Sequence, residues 1–548
     1  MGKTARKHRK SHEHKALDPA AKSDKPPGEL EKAKTVSAYA VHDGRPLFAH
    51  HYQPYADDDL LASPREFVPL SELAPGDCSP FHVMMVLTAT CVGPAALVMP
   101  FAFLQGGFVM TCVLLLAFGA ASLAASILLV HLGVTHGTYS LHGLATMAFG
   151  PHGALAIGVL QLGISTGLVV TYFSIIFRDL RVMSAHFLHF DFGADGEPLR
   201  DQPAGIGSAN FLTDRVLFAE VITLVVVVPF CLTSFYYRKL KLSTTLTVIA
   251  LIAGSTCAME NAHRLHNKNA PVASQGFERD YMVVPSTMPE VFGILGACFA
   301  YQHHAFHAFY ALRERSIATF AQISLLAMLT SLFIAYGIGI AGYVSFLKLT
   351  KSDVLGNYDF DADMSFLAFW IYVPLSVIVA IALEVVVSAH SIQFLTRSNK
   401  LRGATAVSRE QDVLFRTHHR GSNLEHSSVP ETATSTATAG DSSLSLPQGL
   451  AWKRYLFTAI VLILIAQLAL LSPANVATVL GLTGAFAGLP LLFVFPAACM
   501  FKLSSAIGSD DDRGGRLQTH VFPCLSVAFG SVASFACVCS YIVQSVNK

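Results

Sequence analysis

The chain has 548 residues, is 52% hydrophobic and 14% charged, and combines a mean hydropathy of +0.49 with a formal net charge of +1. That balance excludes an ordinary soluble enzyme and offers no broad basic surface for a nucleic acid. Apolar windows of bilayer length fall near 81–104, 107–131, 153–178, 213–235, 243–262, 288–311, 317–347, 366–395, 455–471, 474–501 and 519–543. None alternates as a membrane strand does, so the expected fold class is an all-α membrane protein with about eleven transmembrane helices.

Residues 1–80 read as a disordered, basic cytosolic tail, 81–397 carry the first eight spans, and 451–548 carry the last three. The Ser/Thr/Ala-rich segment 398–450 lacks apolar periodicity and reads as a disordered cytosolic loop. The N-terminal residues are basic without an apolar core, so they do not form a secretory signal. With this tail inside, 28 of the 38 Lys and Arg face the cytosol and 10 face the other side. The positive-inside bias therefore predicts a cytosolic N-terminus and an outer or lumenal C-terminus. Nine of the ten cysteines lie within or at the ends of spans, where Cys behaves as a small hydrophobe.

The first span contains CVGPAALVMPFAFLQGG, with Gly93-Pro94 near its middle and Pro100 soon after. A smooth helix cannot run through these prolines, and unpaired backbone is costly inside a bilayer. The sixth span, MPEVFGILGACFAYQHHAFHAFYALRERS, is interrupted by polar residues instead: Tyr301, Gln302, His303, His304 and then His307. Two interrupted helices five spans apart are the pattern of an inverted-repeat transporter, with substrate held at the midplane between them. His303 and His307 share a helix face, with His304 expected to point elsewhere. In the eighth span Glu384 lies mid-helix, one turn from Ser388, and an intramembrane carboxylate marks a pathway or a site by default.

At these residues the chain resembles the amino acid/auxin permease family, and within it the sodium-coupled neutral amino acid transporters. The run from Gly93 to Phe103 is similar to G-[S/T]-G-I-L-x-L-P-Y-A-F, followed by Gly106-Gly107. Gln302-His303 through Tyr310 resembles F-x-C-H-x(6)-Y, Ser388 through Arg397 resembles T-V-P-x(3)-F-P-x-R, and Gly481 through Lys502 resembles G-x-x-G … F-P … K. The resemblance covers nearly all of 80–545 in order and spacing, and implies a LeuT-like 5+5 inverted repeat with helices 1 and 6 broken. It further implies that Gly93, Pro94 and Ala95 surround a substrate carboxylate and that Tyr172 covers it; the residues themselves offer Gln302 as a polar contact to substrate, His303 as a titratable group and Phe299 as a pocket wall. The sequence departs from the family where it matters for ions. Pro94 has no N–H to give, and Ala89 stands where a sodium-coordinating Asn is expected, so only Ser388 keeps a sodium-site oxygen. Glu384 is then the natural coupling group, carrying a proton.

A di-metal oxygenase would need its histidines to converge. The HHAFH run is placed at mid-depth, however, while His186 and His189 fall outside and His136 and His142 inside. A divalent-metal transporter would need more intramembrane carboxylates than Glu220, Glu290 and Glu384. The sequence therefore predicts a secondary transporter of amino acids working by alternating access, with no enzymatic chemistry, cofactor, resident metal or nucleic-acid partner. Its partners are an amino acid, a proton in preference to sodium, and the lipid bilayer of a plasma membrane or an acidic endomembrane compartment. The alternatives are a carrier of another small organic solute, such as a cationic amine, and an amino-acid sensor with little flux.

Overall fold

The computed structural model describes residues 76–187, 215–233, 240–273, 282–358, 374, 376–389, 391–392, 395, 448–471, 475–504 and 521–546. Most of the expected tail and residues 398–447 of the expected 398–450 loop lie outside these residues, while 448–450 open a helix instead of ending the loop. Every described regular element is helical, apart from one isolated bridge. Among the described residues six helices are long and apolar enough to cross a membrane, and a seventh crossing results if one bent pair is counted as a single span. Shorter apolar helices at Val216–Leu232, Ser376–Ala389 and Leu456–Leu470 fall in three further expected windows. Large apolar side chains cover outward faces, with Val532 and Phe535 68% and 73% exposed, as a lipid-facing surface requires.

The bent pair is the first span. Helix α1 (Pro80–Cys91) stops, a 3₁₀ stretch runs from Gly93 to Val98 into α2 (Met99–Gly106), and the segment Gly93–Gly106 is bent by 43° from α1. Gly93 takes φ +37°, a left-handed conformation that side chains with a Cβ resist. Both prolines open a helical segment, where their missing N–H is not needed. The prolines thus start helical segments after an interruption that Gly93 makes.

Helix α3 (Phe108–Thr135) returns across the bundle, and α4 (Leu141–Phe187) is a single long element kinked at Gly150-Pro151. The apolar windows end at 178 and 262, but α4 continues to Phe187, and α7 (Lys241–Ala273), which follows α5 (Arg215–Ile222) and α6 (Val228–Thr233), continues to Ala273. Hydropathy marks where a helix meets lipid, and its backbone bonds can continue beyond that edge. Near the end of α4, Arg178 donates to Asp179 Oδ1 (Nη2 at 2.8 Å) and to Asp353 Oδ2. This ties α4 to the short 3₁₀ turn Val354–Asn357, which packs against the Gly93–Val98 stretch.

The sixth span is broken too: α8 (Met288–Cys298) ends, Phe299–Tyr301 are non-helical, and α9 (Gln302–Ala311) begins. After it come α10 (Ile317–Phe346), α11 (Ser376–Ala389), α12 (Gln448–Leu471), α13 (Val476–Thr483), α14 (Phe495–Ser504) and α15 (Phe522–Val546). Between α13 and α14 the chain winds as two wide π-helical segments, Gly484–Gly488 and Pro490–Val494. Helix α8 lies against this region backbone to backbone. A Cβ on Gly293 would come 2.3 Å from the Gly481 carbonyl oxygen, and one on Gly484 would come 1.8 Å from that of Gly293. Only glycine fits at such approaches.

The end of the expected tail is ordered. Gly76 and Cys78 donate backbone N–H groups to the carbonyls of Leu312 and Ala311, and Arg313 donates back to Cys78, forming a parallel bridge. Lys241 Nζ also donates to the Asp77 carbonyl at 2.7 Å.

Candidate functional site

The two breaks lie together inside the bundle. Cys91 and Cys298 are the last residues of α1 and α8, and Tyr172 on α4 is buried within electrostatic reach of both and of Glu384. Gly93, Pro94 and Ala95 are buried in the 3₁₀ stretch, which packs against α8. Phe299 is fully buried in the second break. The structure therefore gathers Gly93–Ala95, Tyr172, Phe299, Gln302, His303 and Glu384 around the two interruptions. Ser388 is half-buried one turn beyond Glu384, and Ala89 is buried within α1.

Glu384 does not stand alone, as its isolation in the eighth span had suggested. Its carboxylate accepts from His303 Nε2 at 3.1 Å and from His304 Nε2 at 3.0 Å, and all three side chains are at most 2% exposed. The expectation that His304 points elsewhere is thus corrected. Helix-face arithmetic separates adjacent residues by about a quarter turn, yet both imidazoles sit in the first turn of α9 and reach different oxygens of one carboxylate. Their rings are 4.3 Å apart. The three donor atoms lie within 4.8 Å of one another, a spacing suited to a shared proton or a small cation.

This charge arithmetic constrains the cluster. With two neutral imidazoles and an ionised carboxylate it carries one net negative charge in a buried place, where an uncompensated charge is expensive. One added proton makes the cluster neutral.

The second break is also fastened to α3. Ser122 Oγ donates to the Phe299 carbonyl, one of the groups freed by the interruption, and Ser126 Oγ pairs with Tyr301 Oη at 2.8 Å. Gln302 Nε2 donates to Ser122 Oγ at 3.0 Å, so its amide nitrogen is turned to α3. These serines and Tyr301 were not among the expected site residues. Serines in apolar spans usually bond back to their own helix, and nothing in their spacing separates these two from the rest.

A family model described as transmembrane amino acid transporter protein matches residues 76–542. Proteins provisionally named sodium-coupled neutral amino acid transporter 11 are similar along most of their length. The Bos taurus protein is 23% identical over 442 residues, covering 80% of this chain and 78% of its own. The Danio rerio protein is 20% identical over 414 residues, covering 76% and 77%. Among solved structures, a nucleobase-cation-symport-1 family transporter in a closed conformation with bromovinylhydantoin bound superposes with a TM-score of 0.46. It is 14% identical, with 87% of this chain and 95% of that one covered.

Proposed function

The chain belongs to the transmembrane amino acid transporter family, and from that premise we propose a secondary transporter that moves amino acids by alternating access and is coupled to protons. The observation that carries the reading is the buried Glu384–His303–His304 cluster at the restart of a broken helix. A group that is neutral with one proton and charged without it changes its preference for the two sides of a membrane as substrate comes and goes. That is the differential stabilisation a coupled carrier needs.

Substrate is held between the breaks. The backbone of Gly93 and Ala95, at the start of the 3₁₀ stretch, takes the carboxylate through the positive end of a helical segment. The α9 start takes the amino group, and Tyr172 closes over both. Eleven spans in a LeuT-like 5+5 inverted repeat account for the six long helices, the bent first span, the split sixth span and the three shorter apolar helices. The N-terminus is cytosolic on the distribution of basic residues.

The relatives are named sodium-coupled, and sodium is the rival ion. Against it here stand Ala89, which brings no side-chain oxygen, and the Glu384 cluster, which supplies a titratable alternative within the site. A cationic amine is the second substrate reading, favoured by one observation: Pro94 removes a donor from the carboxylate end of the pocket.

Uptake of a labelled amino-acid panel into proteoliposomes tests this, at about pH 5.5 and about pH 7.4, in sodium or choline, beside Glu384→Gln. Uptake that rises in acid, ignores sodium and loses its pH dependence in Glu384→Gln is the expected result. Sodium-driven uptake untouched by the substitution would overturn proton coupling. Flux of amines alone would move the substrate to the second reading.

A further inference from the structure

Ser122 has one proton and two lone pairs to offer. Its proton goes to the Phe299 carbonyl, so Oγ faces Gln302 as an acceptor only. The Ser122 carbonyl oxygen also faces Gln302, 3.4 Å from Nε2, and is likewise an acceptor. Two acceptors on one side demand the amide's NH₂ group there, which fixes an orientation that the shape of a glutamine leaves open. The amide oxygen must then point away from α3. Gln302 is fully buried, and among the described residues its Oε1 has no hydrogen-bond partner. In the following residue, His303 Nδ1 is also buried and without a partner among the described residues. Because His303 Nε2–H is given to Glu384, Nδ1 carries a bare lone pair in the neutral ring.

We infer that Ser122 is a positioning residue that holds the Gln302 amide so that Oε1, with His303 Nδ1, accepts N–H bonds from a substrate ammonium group. The inference rests on the reading of this site as one for amino acids, and narrows it to substrates whose nitrogen still carries hydrogens. Positive charge alone does not satisfy these two atoms, because a buried acceptor without a donor is penalised whatever charge lies nearby. A primary ammonium supplies three N–H groups, and a quaternary one supplies none.

The test compares binding of alanine, leucine and glutamine with that of their N,N,N-trimethyl betaines, which keep the charge and lose every N–H. Dissociation constants are read from ligand-dependent thermal shifts of the purified full-length protein. The expected result is that each parent that binds does so about tenfold or more tightly than its betaine, the scale set by one unsatisfied buried acceptor. Ser122→Ala should pull that ratio toward one by weakening the parent, Gln302→Met should abolish it with the Ser122–Phe299 bond intact, and Ser122→Thr should retain it. A purely structural role for Ser122 would weaken parent and betaine together and leave the ratio alone. Equal binding of parent and betaine by the unmodified protein overturns the inference. So does a ratio that survives both Ser122→Ala and Gln302→Met, and so does failure of all three pairs to bind. The expected ratios in a protein that gives no flux in proteoliposomes would instead overturn the transport reading and leave this one standing.

Discussion

The first and sixth spans are both interrupted inside the bundle, and the two interruptions are built from different atoms. At the first, Gly93 turns into a left-handed conformation and prolines restart the helix, so what is presented to the interior is backbone. At the second, no residue has a positive φ, and side chains from other helices hold it: Ser122 takes the Phe299 carbonyl, Ser126 the Tyr301 hydroxyl, and Glu384 the imidazoles of His303 and His304. A backbone break depends on conformation and tolerates little variety in sequence. A side-chain break depends on partners from other helices and can be tuned one hydrogen bond at a time. On the function proposed above this would be a division of labour, with an invariant part of the substrate read by the first break and a titratable load carried at the second.

Substitutions can break that comparison. Replacing both His303 and His304 with Ala leaves Glu384 buried without its two donors. This should cost about 3–5 kcal/mol, as for any buried charge stripped of its partners. Each single replacement should cost less than half of that, because the other imidazole remains, and melting temperatures in detergent would show the non-additivity. Next comes Gly484→Ala, whose Cβ would lie 1.8 Å from a carbonyl oxygen and 2.4 Å from the Ala297 nitrogen. Overpacking of this kind should cost about 3 kcal/mol and be read as lost monodisperse yield. Gly93→Ala meets nothing within 4 Å, so only backbone strain of about 1–2 kcal/mol opposes it. Its melting temperature should fall less than that of Gly484→Ala, while substrate affinity falls with it. Ser126→Ala should be the mildest, about 1 kcal/mol for one hydrogen bond to Tyr301. Should Gly93→Ala prove more damaging to folding than Gly484→Ala, the first break would be held by packing and the contrast drawn here would be wrong.

Sequence patterns foretold the first break better than the second. Proline and glycine act through their own backbone, so Gly93-Pro94 announces an interruption wherever it falls, and Glu384 announces itself by being ionisable where almost nothing else is. His304 was assigned the wrong direction because the helical wheel assumes a continuous helix with one side chain per partner. Here the helix begins anew at Gln302, and one carboxylate has two oxygens to offer. Ser122 and Ser126 left no signal, since a serine that reaches another helix has the same spelling as one that bonds only to its own, and Ser126 does both, donating to the Leu123 carbonyl while it pairs with Tyr301. The π-helical turns around Gly484–Val494 and the close seating of α8 on them were equally hidden, because a wide turn depends on what is packed against it.

The parallel bridge between Cys78 and Leu312 bears on time rather than affinity. It joins the chain just before the first broken span to the chain just after the sixth, and Lys241 fastens the same junction to α7. Parting these ends means releasing three backbone hydrogen bonds at once before any new ones form. If the chain alternates as proposed, such a clasp would act as a latch on a clock: it would raise the barrier for opening at that end of the bundle, and so set how long the carrier dwells before it turns. A single proline at position 78, which has no N–H to lend and reshapes one strand of the clasp, would be expected to shorten that dwell while leaving the substrate's seat between the two breaks untouched.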